Sequence, residues 1–240
     1  MTDTPEQHTF SARLDCRYLL HVPKETSRGS VLVLTMHGYG SNPEAMLHLA
    51  RGLVGSDFVI ASVQAPNQFY ISQTQRGSEP SIGYNWGVRD HWAAAVRLHH
   101  DMVREALSSL RVRFGLGSAN CMLVGFSQPV GLNYRFAATW PDEVRGVIGI
   151  CGGVPRDWEE DKYRPVTASV LHIARQEDEF YPPEMSMQFG DRLRKRARDV
   201  EFHMLPGGHR FPSKARHIVN PWIARVFGMK EREETATEAG

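Results

Sequence analysis

The sequence predicts an α/β fold in which a mostly parallel β-sheet is covered by helices on both faces. Two observations lead to this prediction. Short, continuous apolar runs, typical of strands that are buried on both faces, recur along the 240 residues. Segments with apolar residues at helical spacing separate these runs, and strands that alternate with helices form parallel sheets.

The predicted strands begin at the edge of the sheet and continue into its buried part. The segment Phe10–Pro23 alternates well enough for one or two edge strands, and the following residues KETSRG predict a turn. The predicted buried strands are Val31–Met36, FVIASV from Phe58, CMLVGF from Cys121, VRGVIGI from Val144, SVLHIA from Ser169 and VEFHMLP from Val200.

Five helices are predicted between these strands. Pro43 suits the first position of the first helix, and Asp90 is a candidate cap of the second. The predicted helical segments are PEAMLHLARGL from Pro43, the 26 residues from Arg89 to Phe114, QPVGLNYRFAATW, PPEMSMQFGDRLRKRA and SKARHIVNPWIARVF.

The chain is predicted to form one domain, residues 10–228, after a flexible N-terminus, residues 1–9. The charged tail, residues 229–240, is poor in apolar residues and is predicted to be disordered. The segment from 65 to 87 shows no period, and loops of that length are usually functional or mobile. No long insertion lies between Val147 and Ser169, so no separate lid domain is expected.

Composition excludes several classes of function. A formal net charge of +1 leaves no positive surplus for a nucleic acid partner. The three cysteines form no CxxC pair, which argues against a disulfide framework and against a zinc site. No secretory signal and no apolar run near the ~20 residues of a membrane span are present, so we expect a cytoplasmic protein without stable membrane insertion. Neither a metal nor a nucleotide cofactor is expected, because no HExxH, GxGxxG or Walker motif occurs.

Ser127 follows a buried strand and immediately precedes a helical pattern. Such a turn projects a serine hydroxyl beyond the sheet edge and leaves free amides at the helix N-terminus, where a developing oxyanion is stabilised. The motif G-x-S-x-G describes this nucleophile elbow. Here its last position is Pro129, and a proline disfavours helical backbone angles at the preceding residue, Gln128. The elbow is therefore predicted with an altered geometry.

Two further residues follow the serine in the order that its chemistry requires. Serine needs a general base, and the base needs an acid that orients it. Asp178 lies just beyond the strand SVLHIA, and His209 lies just beyond VEFHMLP. We predict Ser127, Asp178 and His209 as catalytic residues. Glu177 and Glu179 are the alternatives to Asp178.

The oxyanion requires two donors. The amide of Gln128, directly after the serine, is one candidate, and the amide of Tyr39 in the turn HGYG is the second. The ring of His37 is interpreted as a structural hydrogen-bonding group.

The motifs HGYGSNP, LVGFSQP, EDEFYPPE and GGHRF together resemble the phospholipase/carboxylesterase family of α/β-hydrolases, which includes small bacterial carboxylesterases and acyl-protein thioesterases. The resemblance spans residues 30–227. It implies an α/β-hydrolase fold, the triad and oxyanion donors named above, and hydrolysis of small-molecule carboxylic esters or thioesters with short to medium acyl chains. It also implies a monomer or homodimer.

The resemblance also suggests substrate-pocket residues. Trp86 would line the acyl pocket, with Phe180 and Tyr181 beside it, although Trp86 is equally interpreted as a packed loop residue. Two alternative functions remain: a non-catalytic binding protein with this fold, for which Pro129 would mark the lost activity, and a specialised esterase for sugar esters.

Overall fold

The computed structural model describes residues 5–71 and 79–229. The strands are β1 (Tyr18–His21), β2 (Leu32–Met36), β3 (Val59–Val63), β4 (Asn67–Tyr70), β5 (Ile82–Asn85), β6 (Cys121–Phe126), β7 (Gly146–Ile150), β8 (Ser169–Arg175) and β9 (Val200–Leu205). The helices are α1 (Pro43–Val54), α2 (Trp92–Phe114), α3 (Val130–Thr139), α4 (Pro183–Ser186), α5 (Phe189–Arg194) and α6 (Arg216–Phe227), and a 3₁₀ turn covers Ser118–Asn120.

Seven strands form one sheet in the order β1-β3-β2-β6-β7-β8-β9. Only β1 runs antiparallel to its neighbour, and all other pairs are parallel, which confirms the predicted mostly parallel sheet. From the neighbouring strands β2 and β6, successive strands of the chain are added in opposite directions: β3 lies beyond β2, and β7 to β9 lie beyond β6. Open α/β sheets bind ligands outside the carboxyl ends of the strands at such a switch point.

Each face of the sheet is covered by helices. Apolar residues of α2, α3 and α5 form one core with alternate strand residues, including Leu107, Phe136 and Leu193. Residues of α1 and α6 form the core on the opposite face, including Leu53 and Trp222. This two-sided covering explains why the central strands are continuously apolar rather than alternating.

Three details differ from the sequence-based expectations. The segment predicted as a loop contains the antiparallel hairpin β4–β5, whose short and mostly exposed first strand gives no visible period. The second helix begins at Trp92, and its N-cap is His91 rather than Asp90. The single helix predicted over residues 182–197 consists of the two short helices α4 and α5.

Residues 151–168, all of them described, form no helix or strand apart from one isolated bridge at Val166, in agreement with the absence of a separate lid domain. Of the tail predicted to be disordered, residues 230–240 lie outside the described part of the chain, as do residues 1–4 of the predicted flexible N-terminus. The domain limits stay predictions. Within the described ranges, no helix has both the length and the apolar character needed to cross a membrane.

Buried histidines are expected to make the fold acid-sensitive. Burial lowers the pKa of His99 to about 3, that of His172 to about 3 and that of His100 to about 4, from an ordinary value of 6.5. Below pH 6.5 the unfolded chain therefore binds protons that the folded chain does not, so stability falls with falling pH. As the pH falls from about 6.5 to about 5, the free energy of unfolding should therefore decrease by up to about 2 kcal/mol for each of these histidines.

Urea unfolding at several pH values between these limits would measure this loss. His100→Gln should reduce the pH dependence, whereas substitution of the exposed His48 by asparagine should not change it. A free energy of unfolding that is constant over this pH range would contradict the prediction.

Candidate active site

Ser127 lies at a sharp turn between β6 and α3, at the carboxyl edge of the sheet. Its backbone has a left-handed φ of 64°, a conformation that costs a non-glycine residue free energy and that recurs at functional sites. Two backbone hydrogen bonds of Ser127 hold the turn. The Ser127 amide donates to the Ile150 carbonyl at 2.8 Å, and the Ser127 carbonyl accepts from the Val130 amide at 3.2 Å. The serine thus projects from the central strands, as the elbow motif predicts.

Pro129 fits the turn in spite of departing from the motif. Its φ of −75° lies within the range that the proline ring fixes, and α3 begins at the next residue. The missing amide costs no helical hydrogen bond at this position, while the Pro129 carbonyl accepts from the Asn133 amide at 2.8 Å. The start of α3 also needs the neighbouring Gly152, because a Cβ there would lie 2.3 Å from the Val130 Cβ. The elbow is therefore formed with proline in place of glycine.

The three residues predicted as catalytic lie in one hydrogen-bonded row. Ser127 Oγ lies 2.8 Å from His209 Nε2. On the other side of the imidazole ring, His209 Nδ1 lies 2.8 Å from Asp178 Oδ2 and 3.0 Å from Asp178 Oδ1. With the ring proton on Nδ1, facing the carboxylate, Nε2 is free to accept the serine proton.

The environment of Asp178 distinguishes it from its acidic neighbours. Its side chain is 1% exposed, whereas Glu177 and Glu179 are exposed. Asp178 Oδ1 accepts the backbone amides of Phe180 and Tyr181, each at 2.9 Å. These amides stabilise the carboxylate and fix its orientation. Glu179 instead accepts the backbone amide of His209 at 3.2 Å and so helps to hold the loop.

Aromatic rings surround the imidazole of His209. The ring centroids of Phe180, Phe126 and Tyr181 lie 4.8, 5.3 and 6.0 Å from that of His209. The His209 side chain is left 12% exposed. These rings limit the access of water to the Asp178–His209 pair, and electrostatic interactions are stronger where water is excluded.

The turn HGYG lies directly against the elbow. A Cβ placed on Gly38 would lie 3.3 Å from the Ser127 Cβ. The hairpin fixes this turn, because the Gly40 amide donates to the Tyr84 carbonyl at 2.9 Å and the Tyr84 amide donates to the Ser41 carbonyl at 3.1 Å. The hairpin therefore holds the turn that carries Tyr39 against the elbow, although the three segments are far apart in the sequence.

His37 supports the same turn from inside the core. Its side chain has no exposed surface, its Nδ1 lies 2.8 Å from the Gly38 carbonyl, and its Nε2 accepts the Ala65 amide at 3.1 Å. Burial lowers the pKa of His37, so the ring is neutral and serves as a structural group. These two contacts explain the position of the His37 ring without a role as a second base.

Trp86 lies beneath this turn rather than on an open surface. It is fully buried, and its indole Nε1 donates to the His37 carbonyl at 2.8 Å. Its backbone amide donates to the Gln128 side chain at 2.9 Å, and that side chain in turn donates to the Gly87 carbonyl at 2.7 Å. The side chain of Gln128 thus ties the elbow to the end of the hairpin, a role that the motif alone does not reveal.

The other two predicted pocket residues lie beside His209. Phe180 is 65% exposed, and Tyr181 is half-buried against Gly153. Both contact the ring of His209.

Sequence analysis did not single out Cys151 as part of this site. Its Sγ, a carboxylate oxygen of Asp178 and a ring nitrogen of His209 lie within 4.8 Å of one another. Burial first, and then the charge of Asp178, raise the pKa of this thiol to about 12, so it is protonated at neutral pH. Metal binding would require loss of this proton and of the Asp178–His209 hydrogen bond. The position directly after β7, in the run ICGG, was the only signal in the sequence.

The family model described as Phospholipase/Carboxylesterase matches residues 20–226. Among solved structures, the Bacillus cereus carboxylesterase aligns with a TM-score of 0.67 at 17% identity and covers 88% of this chain and 94% of its own. Esterase PE8 has a TM-score of 0.68 at 21% identity, with 90% of this chain and 100% of its own covered. The carboxylesterase from Mesorhizobium loti has a TM-score of 0.67 at 19% identity, with 90% and 98% covered. A comparison with curated protein sequences gives no match. At these identities the structural similarity shows the α/β-hydrolase fold.

Proposed function

The chain belongs to the phospholipase/carboxylesterase family, and on this premise we propose that it is a serine hydrolase that cleaves carboxylic esters through an acyl-enzyme intermediate. One observation carries the proposal: the row Ser127–His209–Asp178, with 2.8 Å on either side of the imidazole ring. A nucleophile, a base and an orienting acid at these distances are the arrangement that acyl transfer by serine requires.

In the proposed mechanism, His209 Nε2 accepts the hydroxyl proton as Ser127 Oγ attacks the ester carbonyl. The resulting imidazolium is stabilised by the buried Asp178 carboxylate, and it then returns the proton to the departing alcohol. Water attacks the acyl-enzyme in the second half of the reaction, with His209 again as the base. Side chains of the protein supply the nucleophile, the base and the acid of this cycle.

The negative oxygen of the tetrahedral intermediate needs donors that are oriented before the reaction. We assign this role to the backbone amides of Tyr39 and Gln128. Neither amide donates to another group within the described residues. Gln128 also precedes the N-terminus of α3, where the helix dipole favours negative charge. The buried Trp86 is proposed to act through the His37 carbonyl, by holding the Tyr39 turn in place.

The acyl group is proposed to lie against an apolar surface near Ser127. Phe180 is 65% exposed, and Tyr39, in the turn that packs against the elbow, is 58% exposed with its ring centroid 5.1 Å from that of Phe69. With no lid domain between β7 and β8, this surface is open and suits esters or thioesters of short to medium chain length.

The three cysteines are unpaired, which supports the prediction of a reducing, cytoplasmic environment.

Hydrolysis of a p-nitrophenyl ester series from acetate to laurate by the purified protein tests this function. We expect turnover with an optimum at short to medium acyl chains, together with covalent labelling of Ser127 by a fluorophosphonate probe. Matched acyl thioesters would show which leaving group is preferred. A folded protein that hydrolyses no member of the series and takes up no probe would contradict the proposal and support the alternative of a non-catalytic binding protein.

A further inference from the structure

A short segment at residues 84–87, which we call the bridging segment, holds the turn HGYG on both sides of Tyr39. Before Tyr39, the Trp86 indole donates to the His37 carbonyl at 2.8 Å. After it, the Gly40 amide donates to the carbonyl of the first residue of the bridging segment at 2.9 Å. The position of the Tyr39 amide therefore depends on the position of this segment.

The side chain of Gln128 joins the bridging segment to the elbow. Its Oε1 accepts the Trp86 backbone amide at 2.9 Å, and its Nε2 donates to the Gly87 carbonyl at 2.7 Å. In the part of the chain that the structure describes, these are the only hydrogen bonds between the segment and the elbow. Gly87 is itself fixed, because its amide donates to Asn85 Oδ1 at 3.1 Å. One side-chain amide thus connects two parts of the site.

Gln128 also carries one of the two proposed oxyanion donors, its own backbone amide. Gln128 and Pro129 are the central residues of a turn in which the Val130 amide donates to the Ser127 carbonyl at 3.2 Å. The proline ring fixes its own φ, here −75°, and the two hydrogen bonds of the Gln128 side chain hold the residue before it. The orientation of the Gln128 amide is therefore tied to the side chain of the same residue.

From these contacts we propose that the side chain of Gln128 makes it a positioning residue for the oxyanion site. The side chain holds the Gln128 backbone amide directly and the Tyr39 amide through the bridging segment. The inference rests on the proposed serine hydrolase function and adds a role for the side chain to that of the Gln128 backbone. Oxyanion donors act only when they point to the place where negative charge develops, so a small displacement of either amide slows the chemical step.

Gln128→Met and Gln128→Asn remove this link in two ways. Methionine is similar in length but has no amide, and asparagine keeps the amide on a side chain that is one methylene too short to reach both partners. The buried Trp86 amide and Gly87 carbonyl then lose their partners, and the bridging segment loses its connection to the elbow. We expect kcat for p-nitrophenyl butyrate to fall by about 10- to 100-fold, with KM within about twofold of the wild-type value.

A thionoester substrate separates this role from a general loss of structure. Sulfur is a weak hydrogen-bond acceptor, so the oxyanion donors assist an ester more than the matching thionoester, in which sulfur replaces the carbonyl oxygen. Displaced donors should therefore lower the ratio of kcat/KM for the ester to kcat/KM for the thionoester, by about fivefold or more. A displaced Ser127 or His209 would slow both substrates alike and leave this ratio unchanged.

Gln188→Met is the matched control. Gln188 is exposed at the start of α5, and its side-chain amide also donates to a backbone carbonyl, that of Glu184, at 3.4 Å. Its substitution should leave kcat and the ester-to-thionoester ratio at their wild-type values. A folded Gln128 variant with the wild-type kcat, or with a lower kcat and an unchanged ratio, would overturn the inference. If the methionine variant does not fold, the asparagine variant decides alone.

The NMR signal of the Tyr39 backbone amide is a second measurement, and it needs no substrate. In both Gln128 variants this signal should shift, and the Trp86 amide should exchange with solvent faster, whereas Gln188→Met should change neither. If the wild type hydrolyses no ester while the Tyr39 signal shifts, the proposed function fails and the positional link stands. A Tyr39 signal that stays in place overturns the link whether or not esters are hydrolysed, and with hydrolysis intact only the inference about Gln128 fails.

Discussion

Replacement of Ser127 by alanine is expected to lower kcat for p-nitrophenyl butyrate by at least about 10⁴-fold, because the acyl-enzyme can no longer form. The fold should be retained. Alanine keeps the Cβ that the turn already accommodates, and the left-handed backbone, with a φ of 64° at this residue, is disfavoured for both side chains alike. We therefore expect a change of less than about 1 kcal/mol in the free energy of unfolding.

The measurement is a steady-state rate for each purified variant, together with urea unfolding followed by circular dichroism. Ser109→Ala is a suitable control, because Ser109 is an exposed serine on α2 and makes none of the contacts described for the site. Its rate should equal that of the wild type. If Ser127→Ala kept more than about a tenth of the wild-type rate while folded, Ser127 would not be the nucleophile.

The parallel sheet and the chain order of the candidate site could be predicted from the sequence for the same physical reason. Strands buried on both faces must be continuously apolar, so β6 and β8 are visible as apolar runs. The strand β9, predicted to be buried in the same way, is instead a half-buried edge strand, and its apolar residues alternate with polar ones such as Glu201 and His203. Parallel strands place their carboxyl ends at one edge, so the residues that follow these runs, Ser127, Asp178 and His209, are brought together. The local sequence pattern and the sheet topology therefore predict the same candidate site.

The supporting contacts could not be predicted in this way, because they join segments that have no periodic signal. The β4–β5 hairpin is short, and its first strand is mostly exposed, yet it fixes the Tyr39 turn through the backbone of Tyr84. The side chain of Gln128 reaches the backbone of Trp86, 42 residues away along the chain. Cys151 has no motif at all, and only the three-dimensional arrangement places its thiol beside Asp178.

The elbow itself shows the limit of a motif as a test. Its regular expression fails at Pro129, where glycine is usual. The physical requirement is a residue at the start of α3 that needs no helical amide and has helical backbone angles, and proline meets it with a φ of −75°. The sequence departs from the motif and not from the geometry that the motif describes.

Replacement of Asp178 by asparagine is expected to lower kcat by about 10³- to 10⁴-fold without loss of the fold. Both carboxylate oxygens lie within hydrogen-bond distance of His209 Nδ1, but only Oδ1 also accepts backbone amides, and this asymmetry decides the result. Oδ1 accepts two backbone amides at 2.9 Å, so the asparagine carbonyl oxygen will take this position. The asparagine amino group must then occupy the position of Oδ2, 2.8 Å from His209 Nδ1.

An amino group at that position donates to Nδ1 and so places the ring proton of His209 on Nε2. Nε2 then faces the Ser127 hydroxyl as a donor and cannot accept its proton, and the variant also lacks the charge that stabilises the imidazolium. Asp178→Ala should be equally slow but less stable by about 1–2 kcal/mol, since it leaves two partly buried amides without their acceptor. The two variants thus separate the catalytic role of the carboxylate from its structural role.

Glu177→Gln provides the matched control, because Glu177 is an exposed carboxylate in the same loop and should leave both rate and stability unchanged. Steady-state kinetics and urea unfolding of the three variants complete the test. Near-wild-type turnover in Asp178→Asn would mean that the imidazole still accepts the serine proton in the presence of a neutral amide. The orientation of His209 would then depend on its surrounding rings and on Glu179, and Asp178 would be a residue that only fixes the loop.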